Sequence, residues 1–204
     1  MLLVVGGHSR NIGKTSAAAG IIAALPEARW TAVKITQHGH GVCSAAGEPC
    51  QCALDRTHPY ALSEQQEPDG TDTGRFLAAG AVRSWWLRTA VGQLAYGLPS
   101  LRRIVGESEN VLLESNSVLG FLRPDLYLLV IDPAVADWKD SARRQVDRAD
   151  AYLIVERPEP VPGLPWKKPA FLIRPPAYLS ADVVRFVAGR LALAKGALPA
   201  PGTL

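Results

Sequence analysis

Apolar residues fall into short runs separated by helical patterns from one end of the chain to the other. Leu2–Val5 is a run of β-formers that stops at Gly6-Gly7. Thr15–Leu25 is rich in Ala and Ile, holds no breaker except Gly20 and stops before Pro26, which predicts a helix. Trp30–Thr36 is the next predicted strand. From 37 to 73 apolar periodicity nearly vanishes, and polar, turn-forming stretches such as Glu64–Gly74 take over. Structureless loops of that length are uncommon unless functional, so this excursion is expected to carry a small structure of its own. Beyond it the spacing predicts a short helix over Arg75–Ala79 and a strand over Val82–Thr89 after the break at Gly80. A helix over Val91–Val105, interrupted near Pro99, comes next. Further strands are expected at Val111–Glu114, Leu126–Asp132, Ala151–Val155 and Ala170–Ile173, with a polar helix over Asp137–Arg148. A closing helix, Asp182–Ala194, has Val183, Val184, Val187, Leu191 and Leu193 available for burial. Apolar strands alternating with helices indicate an α/β fold: a mostly parallel central sheet with helices on both faces.

Composition narrows the class. A chain of 204 residues is expected to form one domain, 1–204, carrying the 37–73 excursion. With 48% hydrophobic and 20% charged residues it is not a disordered chain. The net charge of +3 is too mild to argue for nucleic acid. No apolar run approaches the roughly 18–20 residues of a membrane span. The Leu2-Leu3-Val4-Val5 start has no basic stretch of the kind that opens a secretory signal. The three cysteines are odd in number and clustered between 43 and 52, which argues against a disulfide framework. The expected compartment is therefore the reducing cytoplasm.

The strongest motif is Gly7-His8-Ser9-Arg10-Asn11-Ile12-Gly13-Lys14-Thr15-Ser16, between the first predicted strand and the first predicted helix. That is the context of a phosphate-binding loop. Its glycines let successive N–H groups turn inward toward phosphate oxygens, and the helix adds its positive end. Lys14 is expected on the β- and γ-phosphates and the Thr15 hydroxyl on Mg²⁺. The usual pattern has four residues between the glycines; here five separate Gly7 from Gly13.

Four more candidates follow, two at strand ends and two at the start of the expected short helix. Glu114 closes Val111-Leu112-Leu113, where a carboxylate faces the phosphate loop and serves Mg²⁺ or the attacking group. Asp72 is read as a Mg²⁺ or nucleophile-orienting residue and Arg75 as a ligand of phosphate or an anionic substrate; the alternative is a helix cap at Asp72 or Thr73 with an exposed Arg75. Lys34, at a strand end, is read either as a phosphate ligand or as a solvated surface lysine. The catalytic candidates are thus Lys14, Asp72 and Glu114. Asp132 reads as the start of a turn, since Asp-Pro favours one. No Asn-Lys-x-Asp guanine-reading tetrad is present. Glu156-Arg157-Pro158 and Arg174-Pro175-Pro176 follow the last two strands, where a base is expected; ATP and GTP both stay open.

The run from His38 and His40 to Cys43, Cys50 and Cys52, with His58 beyond, brings thiolates and imidazoles close in sequence. Zinc suits such ligands in a reducing compartment, with three thiolates and a histidine closing the site. The metal is read either as structural or as cargo.

The longer loop spacing resembles dethiobiotin synthetase and its relatives, a P-loop class that also contains nitrogenase iron protein and metal-insertion GTPases. Within it, three segments resemble the accessory GTP-binding protein of molybdopterin-guanine dinucleotide biosynthesis. They are Val33-Lys34-Ile35-Thr36-Gln37-His38, Asp72-Thr73-Gly74-Arg75-Phe76-Leu77-Ala78-Ala79-Gly80-Ala81 and Val111-Leu112-Leu113-Glu114-Ser115-Asn116. Ser115 stands where that family has glycine. The resemblance implies a P-loop NTPase fold, Mg²⁺ with GTP or ATP, and a cofactor-biosynthesis or metalloenzyme partner. It also implies a site frequently built at a homodimer interface. Alternative readings are a small-molecule kinase or ligase like dethiobiotin synthetase, and a metal chaperone switched by nucleotide.

Overall fold

The computed structural model of the chain describes residues 1–38, 59–157 and 167–196, the Lys195 side chain excepted. In chain order the elements are β1 (Leu2–Gly7), α1 (Lys14–Ala24), β2 (Trp30–His38), β3 (Tyr60–Gln65), α2 (Asp72–Ala78), β4 (Arg83–Ala90) and α3 (Leu94–Gly106). There follow β5 (Asn110–Glu114), β6 (Leu126–Ile131), α4 (Asp140–Arg143), β7 (Ala151–Val155), β8 (Ala170–Ile173) and α5 (Ala181–Gly196). The strands form one eight-stranded sheet in the order β3-β4-β2-β5-β1-β6-β7-β8. All pairings are parallel except β3 with β4.

Side chains alternate across the sheet, so each strand feeds two cores. Leu3, Val5, Ala32, Leu112, Leu128 and Leu153 pack with Ala17, Ile21 and Ile22 of α1 and with Val183 and Val187 of α5. Val4, Val33, Leu113, Leu129 and Ile154 point the other way, against Leu94, Leu98, Leu101 and Ile104 of α3. Helices thus cover both faces, as the pattern predicted. Fully burying a side chain of this size contributes about 1.5–3 kcal/mol, so the strand ends that carry the site stand on a firm platform.

Three segments differ from expectation. The 37–73 excursion contains β3, whose Tyr60-x-Leu62 alternation stops at Glu64 and is too short to register as a strand signal. Neighbouring β4 supplies what periodicity lacked, pairing Leu62 with Leu87. The helix at 94–106 runs through Pro99 without a break. Pro99 lies on the exposed side, where water can serve the carbonyl it leaves unpaired. The polar helix expected over Asp137–Arg148 shrinks to α4 and a 3-10 turn, Val146–Arg148. Residues 133–139 are used instead to cross from β6 to the phosphate loop, where the Lys139 N–H donates to the His8 carbonyl at 2.9 Å.

Candidate functional site

The loop between β1 and α1 curls because two of its residues adopt left-handed backbone: Asn11 at φ 52° and Gly13 at φ 92°. Gly13 serves a second need. A Cβ there would come within 2.1 Å of the Tyr178 ring, which packs on the loop from beyond β8. Gly7 is held at both polar groups by Asn116: its N–H donates to Asn116 Oδ1 at 2.9 Å, and its carbonyl accepts from Asn116 Nδ2 at 2.8 Å. Ile12 is buried in the α1-side core.

His8 turns its ring away from the cavity into the protein. The fully buried imidazole meets the Val135 carbonyl through Nε2 at 2.9 Å, and Nδ1 faces the Asp132 N–H at 3.4 Å. This bonding describes the neutral tautomer with the proton on Nε2. Burial lowers the pKa of His8 below the ordinary histidine value, against the opposing pull of backbone carbonyls and Asp132. The Trp138 ring packs on it at 4.7 Å.

Lys14 reaches back to the Ser9 carbonyl at 2.6 Å. Its pKa falls to about 8, first because the ammonium is desolvated and then because Lys139 is near; Glu114 opposes the shift. The Thr15 hydroxyl donates to Glu114 Oε2 at 2.8 Å. Glu114 is almost fully buried, and its other oxygen accepts from Lys34 Nζ at 2.6 Å. Strand register produces this pairing, since β2 and β5 set Lys34 directly beside Glu114. The parity that sends Ala32 and Leu112 into the α1-side core sends these two toward the start of α1. Lys34 also pairs with Asp72 Oδ2 at 2.8 Å and lies 3.4 Å from the Thr15 hydroxyl. Burial works against the Lys34 charge, but Glu114 and Asp72 more than offset it and raise its pKa. For Asp72 burial acts upward, yet Lys34, Thr15 and Arg75 together lower its pKa below the ordinary aspartate value.

Asp72 opens α2 but does not cap it. The cap is Thr71, whose hydroxyl accepts from the Gly74 N–H at 3.1 Å. Asp72 is thereby free to face Lys34. Arg75 donates to the Ser16 hydroxyl at 2.8 Å and lies 3.8 Å from Asp72. Asp132 begins a turn as expected, accepting from the Ala134 N–H, and is ion-paired with Arg157. Arg174 and Glu156, after the last two strands, pair with each other.

These groups surround one cavity of about 670 Å³. Arg10, Gly13, Lys14, Thr15, Lys34, Asp72, Arg75 and Glu114 all line it, so loop, strands and α2 meet at one place. The cavity continues past Glu114 along Thr36, Gln37, Ser115 and Asn116. It also includes Lys139, which sequence reasoning missed because it sat within an expected polar helix. The available signal was positional: Lys139 lies on the segment that leaves β6, next to β1 in the sheet. The two carboxylates and the Thr15 hydroxyl form a hard oxygen set that fits Mg²⁺.

Cys43, Cys50, Cys52, His40 and His58 lie outside the described residues. His38 is buried at the end of β2, and its Nε2 has no hydrogen-bond partner among the described residues. Among those residues no group of three or more His, Cys, Asp or Glu side chains is arranged to hold a metal, and no helix is long and apolar enough to cross a membrane.

No family model and no curated protein matches the chain. A solved structure of LpxK from Aquifex aeolicus in complex with ATP is similar in fold, with a TM-score of 0.51 and 16% identity. The match covers 84% of this chain and 53% of that one, so this chain spans about half the length of that protein. At this identity the likeness concerns the fold. With the parallel sheet order and the loop between β1 and α1, it establishes an α/β P-loop NTPase fold.

Proposed function

We propose that this protein binds a nucleoside triphosphate with Mg²⁺ and hydrolyses it, in an accessory role resembling that of the GTP-binding factor of molybdopterin-guanine dinucleotide biosynthesis. The observation that carries the reading is the convergence of Lys14, Thr15, Lys34, Asp72 and Glu114 on one cavity. The bound ATP named for the LpxK structure supports the nucleotide class.

The loop N–H groups hold phosphate oxygens. Lys14 exchanges the neutral Ser9 carbonyl for an anion, a stronger partner for an ammonium. Thr15 and Glu114 would hold Mg²⁺, which when bound neutralises charge on the β- and γ-phosphates. Lys34, released from its carboxylates, turns to the terminal phosphoryl oxygens. Asp72 stays ionised at neutral pH, so it orients a nucleophile by accepting a hydrogen bond and is a weak proton acceptor. Catalysis is then mainly positioning and electrostatics.

A second reading, phosphoryl transfer to a small molecule, is favoured by the cavity's extension past Glu114 along Ser115 and Asn116. There an acceptor hydroxyl or carboxylate could stand in place of water. For the cysteine cluster the reading is zinc held by Cys43, Cys50 and Cys52 with His38 or His40. The buried Nε2 of His38, without a hydrogen-bond partner among the described residues, supports it.

Metal analysis combined with calorimetric titration of ATP and GTP, on wild type and Lys14→Met, tests these readings together. Expected are Mg²⁺-dependent binding of one nucleotide, its loss in Lys14→Met, and about one zinc per chain, as in a closed structural site. Binding that ignores Lys14 removes the P-loop reading, and a zinc-free protein removes the cysteine reading. Nucleotide turnover that rises only with an added acceptor selects the transferase.

A further inference from the structure

Lys139 is built into the cavity by a device that the reading above does not use. The segment from β6 to α4 is fastened to the phosphate loop by the buried His8. The imidazole bonds to the Val135 carbonyl and packs on Trp138, and the His8 carbonyl accepts the Lys139 N–H at 2.9 Å. The Lys139 side chain therefore enters the cavity from the β6 side of β1, while Lys34, Glu114 and Asp72 come from the β5 side.

What it meets there is unusual for a half-buried lysine. No hydrogen bond or ion pair among the described residues reaches its ammonium. Burial, Arg10 and Lys34 lower its pKa, with Glu114 and Asp137 opposing. Of the charges acting on Lys14, Lys139 has the largest effect. Two ammoniums held near each other out of bulk water repel, and an anion between them reverses the sign of that interaction. Lys14 belongs to the terminal phosphates, so the anion that satisfies both is a phosphoryl group.

We infer that Lys139 is a second phosphate-binding lysine, closing on the terminal phosphoryl group of a bound triphosphate from the side opposite Lys34. The inference rests on the nucleotide reading for the identity of that ligand. The buried His8 acts through it as a positioning residue.

The test uses the full chain as wild type, Lys139→Met and Lys139→Arg, titrated with ATP, ADP and tripolyphosphate at pH 7. Lys139→Met is expected to weaken ATP and tripolyphosphate about tenfold to a hundredfold, with ADP changed by less than about threefold and Lys139→Arg restoring most of the loss. An unchanged ATP-to-ADP ratio overturns the inference while leaving nucleotide binding intact. Lys139-dependent binding of tripolyphosphate without nucleotide binding keeps the phosphate-binding lysine and removes the nucleotide. A wild-type protein that binds none of the three overturns both.

Discussion

The two flanks of the phosphate loop follow opposite electrical plans. On the flank formed by β2, β5 and α2, the cations are matched: Lys34 with Glu114 and Asp72, Arg75 with Asp72 and the Ser16 hydroxyl. On the flank reached from β6, Lys139 has no ion pair among the described residues, and Lys14 bonds to a neutral carbonyl. Two carboxylates and a hydroxyl are set to share a cation; two ammoniums are set to share an anion. A metal–triphosphate complex presents those charges on neighbouring atoms, so one ligand can satisfy both flanks. The difference teaches where preorganisation resides. The carboxylate side is held together by its own lysine, whereas the ammonium side is held apart by backbone and by His8 until a ligand arrives.

The largest break in this contrast comes from Glu114→Gln. The change keeps the shape but leaves the half-buried Lys34 with Asp72 alone. Losing one partner of a buried pair costs about 3 kcal/mol, read from urea unfolding. Mn²⁺ binding, followed by electron paramagnetic resonance, should vanish while tripolyphosphate binding persists. Equal loss of both would show that the flanks are not separable.

A smaller effect comes from pH. Lys14 titrates near pH 8 in the empty protein, below the ordinary lysine value of 10.5. Between those values the unfolded chain binds more protons, so stability of the empty protein rises with pH across that window. Triphosphate affinity moves the other way, falling by up to about tenfold per pH unit above 8 as the ammonium is lost. Calorimetry and urea midpoints from pH 7 to 10 read both slopes, and slopes of the same sign would contradict the assignment.

The smallest effect belongs to Arg29→Ala. Its pair with Glu109 is 63% and 61% exposed, so removing it should change stability by less than about 1 kcal/mol. A larger loss by urea unfolding would mean that exposure is a poor guide to which ion pairs matter in this molecule.

The cation flank was far more legible in sequence than the anion flank, for a physical reason. Glu114 ends an apolar strand, Lys34 interrupts the apolar run of another, and parallel register makes the two neighbours. Thr15 lies in the first turn of the helix that follows a glycine-bearing loop, and Asp72 opens a short helical pattern. In each case local periodicity announces the position. Lys139 lies on a segment with no period of its own, placed by His8, Trp138 and Val135, whose contacts span long stretches of chain. His8 itself looked like a loop ligand because the motif describes the backbone; only packing turns its ring inward. β3 escaped notice because its partner β4 supplies the apolar half of the pairing.

The sheet's two margins carry one more consequence. On one side β3 offers Ser63, Glu64 and Gln65, with Glu64 tied across to Arg83 at 2.6 Å. On the other, β8 is four residues long, with Ala170 and Leu172 exposed, and runs into Pro175-Pro176, which have no N–H to donate. Charge on one rim and brevity with proline at the other deny an incoming strand a regular template. Among the described residues the sheet thereby offers no regular edge for edge-to-edge polymerisation.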